Sequence, residues 1–117
     1  KANHHGYYDT CNGFFLNTVS PDVMIIDARS QNHPVPSTMT RMTDHMTWPA
    51  KGEFYITVDQ PRKKLGEELW SHFKPWGHIV VRVYEGGEKY QVFVLDADSL
   101  DYHIIYTSDI KNAGNNN

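Results

Sequence analysis

Hydrophobic residues recur at helical spacing in the first half of the chain. Pro21 would end the first of these segments, Ser37 is a candidate N-cap for the second, and Pro61 suits the first position of the third. We therefore predict three helices there. The segments that show this spacing are residues 11–19, 39–46 and 61–73.

Runs of β-branched and aromatic residues predict strands between and after these helices. Residues 23–26 and 54–58 are short runs of this kind, the first ambiguous at its length. Residues 78–84 and 90–95 are joined by Glu85-Gly86-Gly87-Glu88, whose glycines supply the positive φ of a tight hairpin turn. A third strand is predicted at 102–107.

This order of elements predicts an α+β fold, with an antiparallel β-meander packed on the helix that follows Cys11. A mass of 13.5 kDa for 117 residues fits one domain, which we place at residues 1–111. Residues 112–117 contain nothing large and apolar, so we expect a disordered tail.

Composition limits the classes of partner. The net charge of −3 argues against nucleic acid as a partner, and no run approaches eighteen apolar residues, so no membrane span is predicted. A single cysteine excludes an internal disulfide and disfavours a cysteine-built zinc site. The start without methionine suggests a processed chain or an excised domain, and the compartment is not readable from it.

Cys11 is the first candidate for chemistry. It stands between polar residues and an apolar stretch, as in a loop that enters a helix. A thiol at a helix N-terminus has a lowered pKa and is a better nucleophile. The alternative is a buried structural cysteine, because free cysteines are often small core residues.

His78 is the candidate general base, since it opens a predicted central strand and a strand start holds a side chain rigidly. A cysteine followed by a distant histidine is the arrangement of thiol nucleophile catalysis. The alternative is a histidine that closes a loop with one hydrogen bond.

Asp96 is the candidate that would orient the imidazole, and the hairpin register decides its position. A two-residue turn pairs His78 with Leu95 and turns Asp96 away, whereas a three-residue turn or a bulge pairs His78 with Asp96. Gln91 lies too far along the strand in either register. The alternative role of Asp96 is that of a turn former.

Two motifs resemble known cysteine hydrolases. Trp76-Gly77-His78-Ile79-Val80-Val81, followed by Phe93-Val94-Leu95-Asp96, resembles the papain-like protein glutamine deamidases, although Ala97 stands where proline is usual. Cys11-Asn12-Gly13-Phe14-Phe15 and Gly77-His78-Ile79-Val80 are similar to motifs of the NlpC-type cell-wall peptide amidases.

These resemblances imply a papain-like core and a cysteine-dependent amide hydrolase with Cys11, His78 and Asp96 as its triad. The glutamine deamidase is the first choice and the cell-wall amidase the alternative. Both imply a protein or peptide substrate and neither a metal nor a cofactor. Small bacterial toxins and effectors belong to both families, so we expect a secreted or delivered protein, with a cognate immunity protein as a further partner.

Two other classes stay open. A ribonuclease-type toxin would use histidines with a hydroxyl partner, and His103 followed by Tyr106, Thr107 and Ser108 keeps that class in view. A non-catalytic interaction domain would leave Cys11 buried and unreactive. The pair His4-His5 does not predict a metal site, because neither its spacing nor its neighbours in sequence supply one.

Overall fold

The computed structural model describes residues 1–48 and 52–114. The chain divides into two compact units, Lys1–Lys74 and Pro75–Asn117, which are described separately below. Helices and an antiparallel sheet are both present, so the chain belongs to the α+β class that the sequence predicted.

Two helices of the first unit form close to where they were predicted. Helix α1, Gly13–Val19, begins after Asn12, whose side chain accepts a hydrogen bond from the backbone N–H of Phe15 at 2.9 Å. Helix α2, Pro36–Thr43, begins with the proline at its first position rather than with Ser37 as its cap.

The third predicted helix is interrupted by a glycine. Gly66 has a φ of +85° and separates α3, Arg62–Leu65, from α4, Glu67–Trp70. Only glycine adopts this conformation readily, and it ends the helix at Gly66. The regular spacing of apolar residues nevertheless continues through the break.

The first unit also contains a small parallel sheet. Strand β1, Val23–Ile26, pairs with β2, Glu53–Ile56, so that Val23 lies opposite Glu53 and Ile26 opposite Ile56. The core beside these strands is almost completely buried and consists of Leu16, Met24, Ile26, Met39, Met42, Trp48, Tyr55 and Ile56. Met46, by contrast, lies beyond α2 and is 77% exposed, so it does not continue the predicted stripe.

The second unit is an antiparallel sheet. Strand β3, His78–Val83, pairs with β4, Lys89–Leu95, and β4 pairs on its other side with β5, Ile104–Thr107, as predicted. A short strand β6, Lys111–Asn112, pairs with Lys89 and Tyr90 at the start of β4, whereas β5 pairs with its end. The predicted tail therefore begins within a strand, and its residues 115–117 lie outside the described residues.

Candidate functional site

Cys11 lies outside helix α1. Asn12 is the N-cap, so Cys11 precedes the cap by one residue and has a left-handed backbone with a φ of +50°. Its N–H is therefore not one of the free N–H groups of the first helical turn. The helix dipole therefore lowers the pKa of the Cys11 thiol less than it would at the first helical position.

Cys11 is hydrogen-bonded by side chains from two other segments. Its Sγ donates a hydrogen bond to Oδ1 of Asn3 at 3.1 Å, and its backbone N–H donates to the same oxygen at 3.3 Å. On the other side, Arg41 of α2 donates from Nε to the carbonyl of Cys11 at 3.2 Å and from a terminal nitrogen to that of Thr10 at 2.7 Å. The guanidinium thus holds two consecutive carbonyl groups.

Burial decides the acidity of this thiol. Cys11 is only 1% exposed, and this burial raises the pKa of the thiol above its ordinary value of 9.0. Hydrogen bonding with Asn3 and Thr10 and the charge of Arg41 lower the pKa, but by less. The expectation of a lowered pKa at a helix start was therefore wrong, and the resting group is a neutral thiol.

His78 occupies the first position of β3 and is exposed. The preceding glycine is required there, because a Cβ on Gly77 would lie 2.2 Å from the carbonyl oxygen of Leu95. The imidazole of His78 contacts the ring of Tyr102, with a centroid distance of 5.4 Å and an angle of 60° between the ring planes. Strand pairing therefore fixes the backbone of His78 while its ring stays accessible.

The hairpin register pairs His78 with Leu95, the pairing that the sequence assigned to a two-residue turn. The observed turn spans residues 84–87, and in it the N–H of Gly87 donates to the carbonyl of Tyr84 at 2.9 Å. Asp96 follows, and its Oδ1 accepts a hydrogen bond from the backbone N–H of Asp98 at 3.1 Å. Its Oδ2 lies 3.8 Å from Nδ1 of His103. This is the register in which the sequence reasoning turned Asp96 away from His78.

Asp96 is held in its ionised form. The hydrogen bond from Asp98 lowers the pKa of its carboxyl group most, followed by a hydrogen bond with Ser99 and the charge of His103. A carboxylate of this kind only accepts hydrogen bonds, as a group that orients an imidazole must.

Asp101 and His103 form a pair that the sequence reasoning only half identified. Nδ1 of His103 and Oδ1 of Asp101 are 2.8 Å apart, and Ser99 donates to the same carboxylate oxygen at 2.5 Å. The pKa of Asp101 falls to about 2, mainly through its hydrogen bond with His103, and that bond raises the pKa of His103. The signal in the sequence was an aspartate two residues before a histidine, close after a strand.

Two of the three predicted residues belong to the second unit and one to the first. His78 and Asp96 lie at the same end of the β3–β4 hairpin, whereas Cys11 belongs to the first unit. No signal in the sequence pointed to Asn3, because no local pattern links it to Cys11, eight residues later. The turn between them brings the two together.

Comparison of the chain with models of protein families, with curated proteins and with solved structures yields no match. Within residues 1–48 and 52–114, no helix has both the length and the apolar character that crossing a membrane requires.

Proposed function

We propose that the protein is a cysteine-dependent amide hydrolase with a papain-like core, in which Cys11 is the nucleophile and His78 the general base. Asp96, the predicted orienting carboxylate, would take that role only after a local rearrangement, because its Oδ2 lies beside Nδ1 of His103 and the register pairs His78 with Leu95. The preferred substrate is the side-chain amide of glutamine in a protein, and the alternative is a peptide of the bacterial cell wall. The observation that carries the proposal is the carboxamide of Asn3 beside both the thiol and the N–H of Cys11.

This arrangement supplies the groups that an amide hydrolysis needs around its nucleophile. The N–H of Cys11 is one donor for the oxyanion of a tetrahedral intermediate. A half-turn of the Asn3 amide would release that N–H and bring an NH₂ group to the place of Oδ1, giving a second donor. Arg41 holds the carbonyls of Thr10 and Cys11, so the backbone that carries the Cys11 N–H is fixed, whereas the second donor depends on the half-turn of Asn3.

The reaction would run through a thioester. His78 accepts the thiol proton as Sγ attacks the amide carbon, and the same proton goes to the nitrogen that leaves as ammonia. Water then hydrolyses the thioester, which leaves a carboxylate on the substrate and restores the thiol. Because burial keeps the resting thiol neutral, proton removal would coincide with attack instead of preceding it.

Ammonia release from glutamine-bearing proteins tests this function. We expect release by the wild-type chain and a loss of about 10²-fold or more in Cys11→Ala and His78→Ala. Cys11→Ser is the matched variant, because it replaces the thiol with a weaker hydroxyl nucleophile of nearly the same size, and its ammonia release should also fall. Release that is unchanged in Cys11→Ala would refute the thiol mechanism.

A second candidate is a ribonuclease-type activity, and the hydrogen-bonded pair of His103 and Asp101 favours it. A carboxylate that orients an imidazole and raises its pKa is suited to general acid–base work. His78 beside Tyr102 would supply the other imidazole and a hydroxyl group. Cleavage of single-stranded RNA that is lost in His103→Ala and retained in Cys11→Ala would decide for this candidate.

A further inference from the structure

Three histidines and an arginine line one cavity of the first unit, outside the groups used above. The cavity has a volume of about 630 Å³ and lies beside the end of β1. The polar residues of its lining are His4, His5, Asp27, Arg29, Ser30 and His33. This lining is therefore rich in side chains that carry a positive charge or gain one on protonation.

The three imidazole rings are mutual neighbours. The ring centroids of His5 and His33 are 5.5 Å apart, those of His4 and His33 are 6.0 Å apart, and those of His4 and His5 are 6.3 Å apart. The pKa of His33 is lowered, first by burial and then by the charges of His5 and His4. Protonated rings at this cavity thus repel one another, and an anion placed among them would relieve that repulsion.

The backbone brings these histidines together from two separate segments. The N–H of Val35 donates to the carbonyl of Gly6 at 3.1 Å, which joins the loop of His33 to the turn that carries His4 and His5. A Cβ on Gly6 would lie 2.7 Å from Cβ of Pro34, so the close approach depends on glycine. The cluster therefore does not arise from adjacent residues alone.

Two of the rings are held through Nδ1, which leaves their Nε2 atoms for a ligand. Nδ1 of His5 donates to the carbonyl of Asp27. Nδ1 of His33 is hydrogen-bonded with Oγ of Ser30 at 3.3 Å. When such a ring is protonated, its Nε2 is a charged N–H donor, and neither of these hydrogen bonds has to break for that donor to be used.

Arg29 adds a permanent positive charge to the cavity. Its side chain is exposed, and within the described residues its guanidinium has neither a hydrogen bond nor an ion pair. The guanidinium is a planar fork of N–H donors that matches the oxygens of a phosphate group. The acidic residue of the lining, Asp27, has its Oδ2 3.4 Å from Nζ of Lys1, so that ammonium group offsets its charge.

The spacing of the rings suits an oxyanion. A charge-assisted N–H···O bond is about 2.7–2.9 Å long, and each oxygen of a phosphate group accepts from a different donor, so the donor atoms around it lie roughly 4–8 Å apart. The centroid separations of 5.5 to 6.3 Å are on this scale. An anion of this size therefore reaches more than one ring of the cluster.

We propose that this cavity binds a phosphate group, with Arg29 as its main charge partner and His4, His5 and His33 as further N–H donors. A phosphate group alone is much smaller than about 630 Å³, and cavities of this volume are typical of sites for small organic molecules, so the body of a phosphate ester has room beside it. This site is independent of the proposed hydrolase.

Isothermal titration calorimetry at constant ionic strength tests the site with two probes, inorganic phosphate and phenyl phosphate. We expect one anion per chain, a loss of affinity of at least about tenfold in Arg29→Gln and a smaller loss in His33→Gln. Tighter binding of phenyl phosphate would assign a phosphate ester as the ligand, and tighter binding of inorganic phosphate would assign the free ion. The matched controls are Arg82→Gln in the second unit and His45→Gln, an exposed histidine of the first, and both should bind like the wild type.

NMR of the wild-type chain gives a second readout that does not depend on the folding of a variant. Bound phosphate should shift the Nε2 resonances of the three histidines and raise the pKa of His33, because a bound anion favours the protonated ring. Absence of stoichiometric binding of both probes would overturn the proposal, and so would equal affinity of Arg29→Gln and Arg82→Gln. Shifts confined to His45 and His72 would place the anion at another cavity of this unit and would also overturn it.

Discussion

Oδ1 of Asn3 accepts hydrogen bonds from both the backbone N–H and the thiol of Cys11, at 3.3 and 3.1 Å. One side chain therefore controls both the polar surroundings of the candidate nucleophile and the backbone donor next to it. Because Cys11 is buried, neither group can exchange this partner for bulk water without movement of the chain.

Replacement of Asn3 should therefore destabilise the protein. Asn3→Ala leaves the N–H and the thiol of Cys11 without their acceptor, and we expect the free energy of unfolding to fall by about 1–3 kcal/mol. Urea denaturation measures this loss. Asn17→Ala is the matched control, because Asn17 is an exposed residue of α1. Equal stability of the two variants would contradict the role assigned to Asn3.

Arg41 should affect both the stability and the thiol. Arg41→Met removes the donors to the carbonyls of Thr10 and Cys11, and we expect a loss of about 1–3 kcal/mol in the free energy of unfolding. The pKa of the Cys11 thiol should rise further, since the charge of Arg41 lowers it. Alkylation of Cys11 as a function of pH measures the second effect. Arg41→Lys should restore part of the charge effect but not both hydrogen bonds.

The pair of Asp101 and His103 predicts a pH window for stability. The pKa of His103 is raised above 6.5, so its contribution is complete below pH 6.5 and is lost as the pH rises through its folded pKa. The pKa of Asp101 is lowered from 3.8 to about 2, so its contribution is present above pH 3.8 and is lost as the pH falls toward 2. The pair should stabilise most between about pH 4 and 6.5.

Proton NMR titration of His103 checks this assignment. Asp101→Asn should bring the pKa of His103 back toward 6.5, and the melting temperature should lose the part of its pH dependence that comes from the pair. Asp98→Asn is the control, because Asp98 contributes its backbone N–H to Asp96 and not its carboxylate to His103. A titration of His103 that is the same in Asp101→Asn and in the wild type would show that the pair does not govern its pKa.

Gly77 should be intolerant of a side chain. Gly77→Ala forces a Cβ against the carbonyl of Leu95, and we expect a loss of about 1–3 kcal/mol together with disturbed pairing at the first residue of β3. Gly86→Ala is the comparison, because Gly86 has a φ of +87° but no atom within 4 Å of the added Cβ, so only backbone strain of about 1 kcal/mol is expected. Amide chemical shifts of His78 and Leu95 locate the disturbance. Unchanged shifts in Gly77→Ala would contradict the steric role assigned to Gly77.

The sheet was the part of the fold that the sequence predicted best. Alternating β-branched residues and the Gly86-Gly87 turn are local signals, and they located β3 and β4 to within a residue or two. The observed register is one of the two that the sequence left open, because turn length is set by backbone angles that the sequence does not fix. The break at Gly66 was missed because the apolar spacing runs through it.

The surroundings of the candidate residues were less predictable. The burial of Cys11 and its contacts with Asn3 and Arg41 depend on segments eight and thirty residues away, which no local pattern reveals. The pKa of the thiol was therefore predicted in the wrong direction. The neighbourhood of His4, His5 and His33 likewise depends on a loop contact at Gly6 and not on spacing along the chain.

The alkylation of Cys11 by iodoacetamide, compared in the wild type and His78→Ala between about pH 6 and 9, tests the hydrolase proposal most directly. If His78 accepts the thiol proton, Cys11 of the wild type should react well below the raised pKa of its buried thiol, and His78→Ala should slow the reaction about tenfold or more across this range. His45→Ala is the control for loss of a histidine elsewhere. Identical profiles in the wild type and His78→Ala, both rising only above pH 9.0, would contradict the proposal and identify Cys11 as a structural residue.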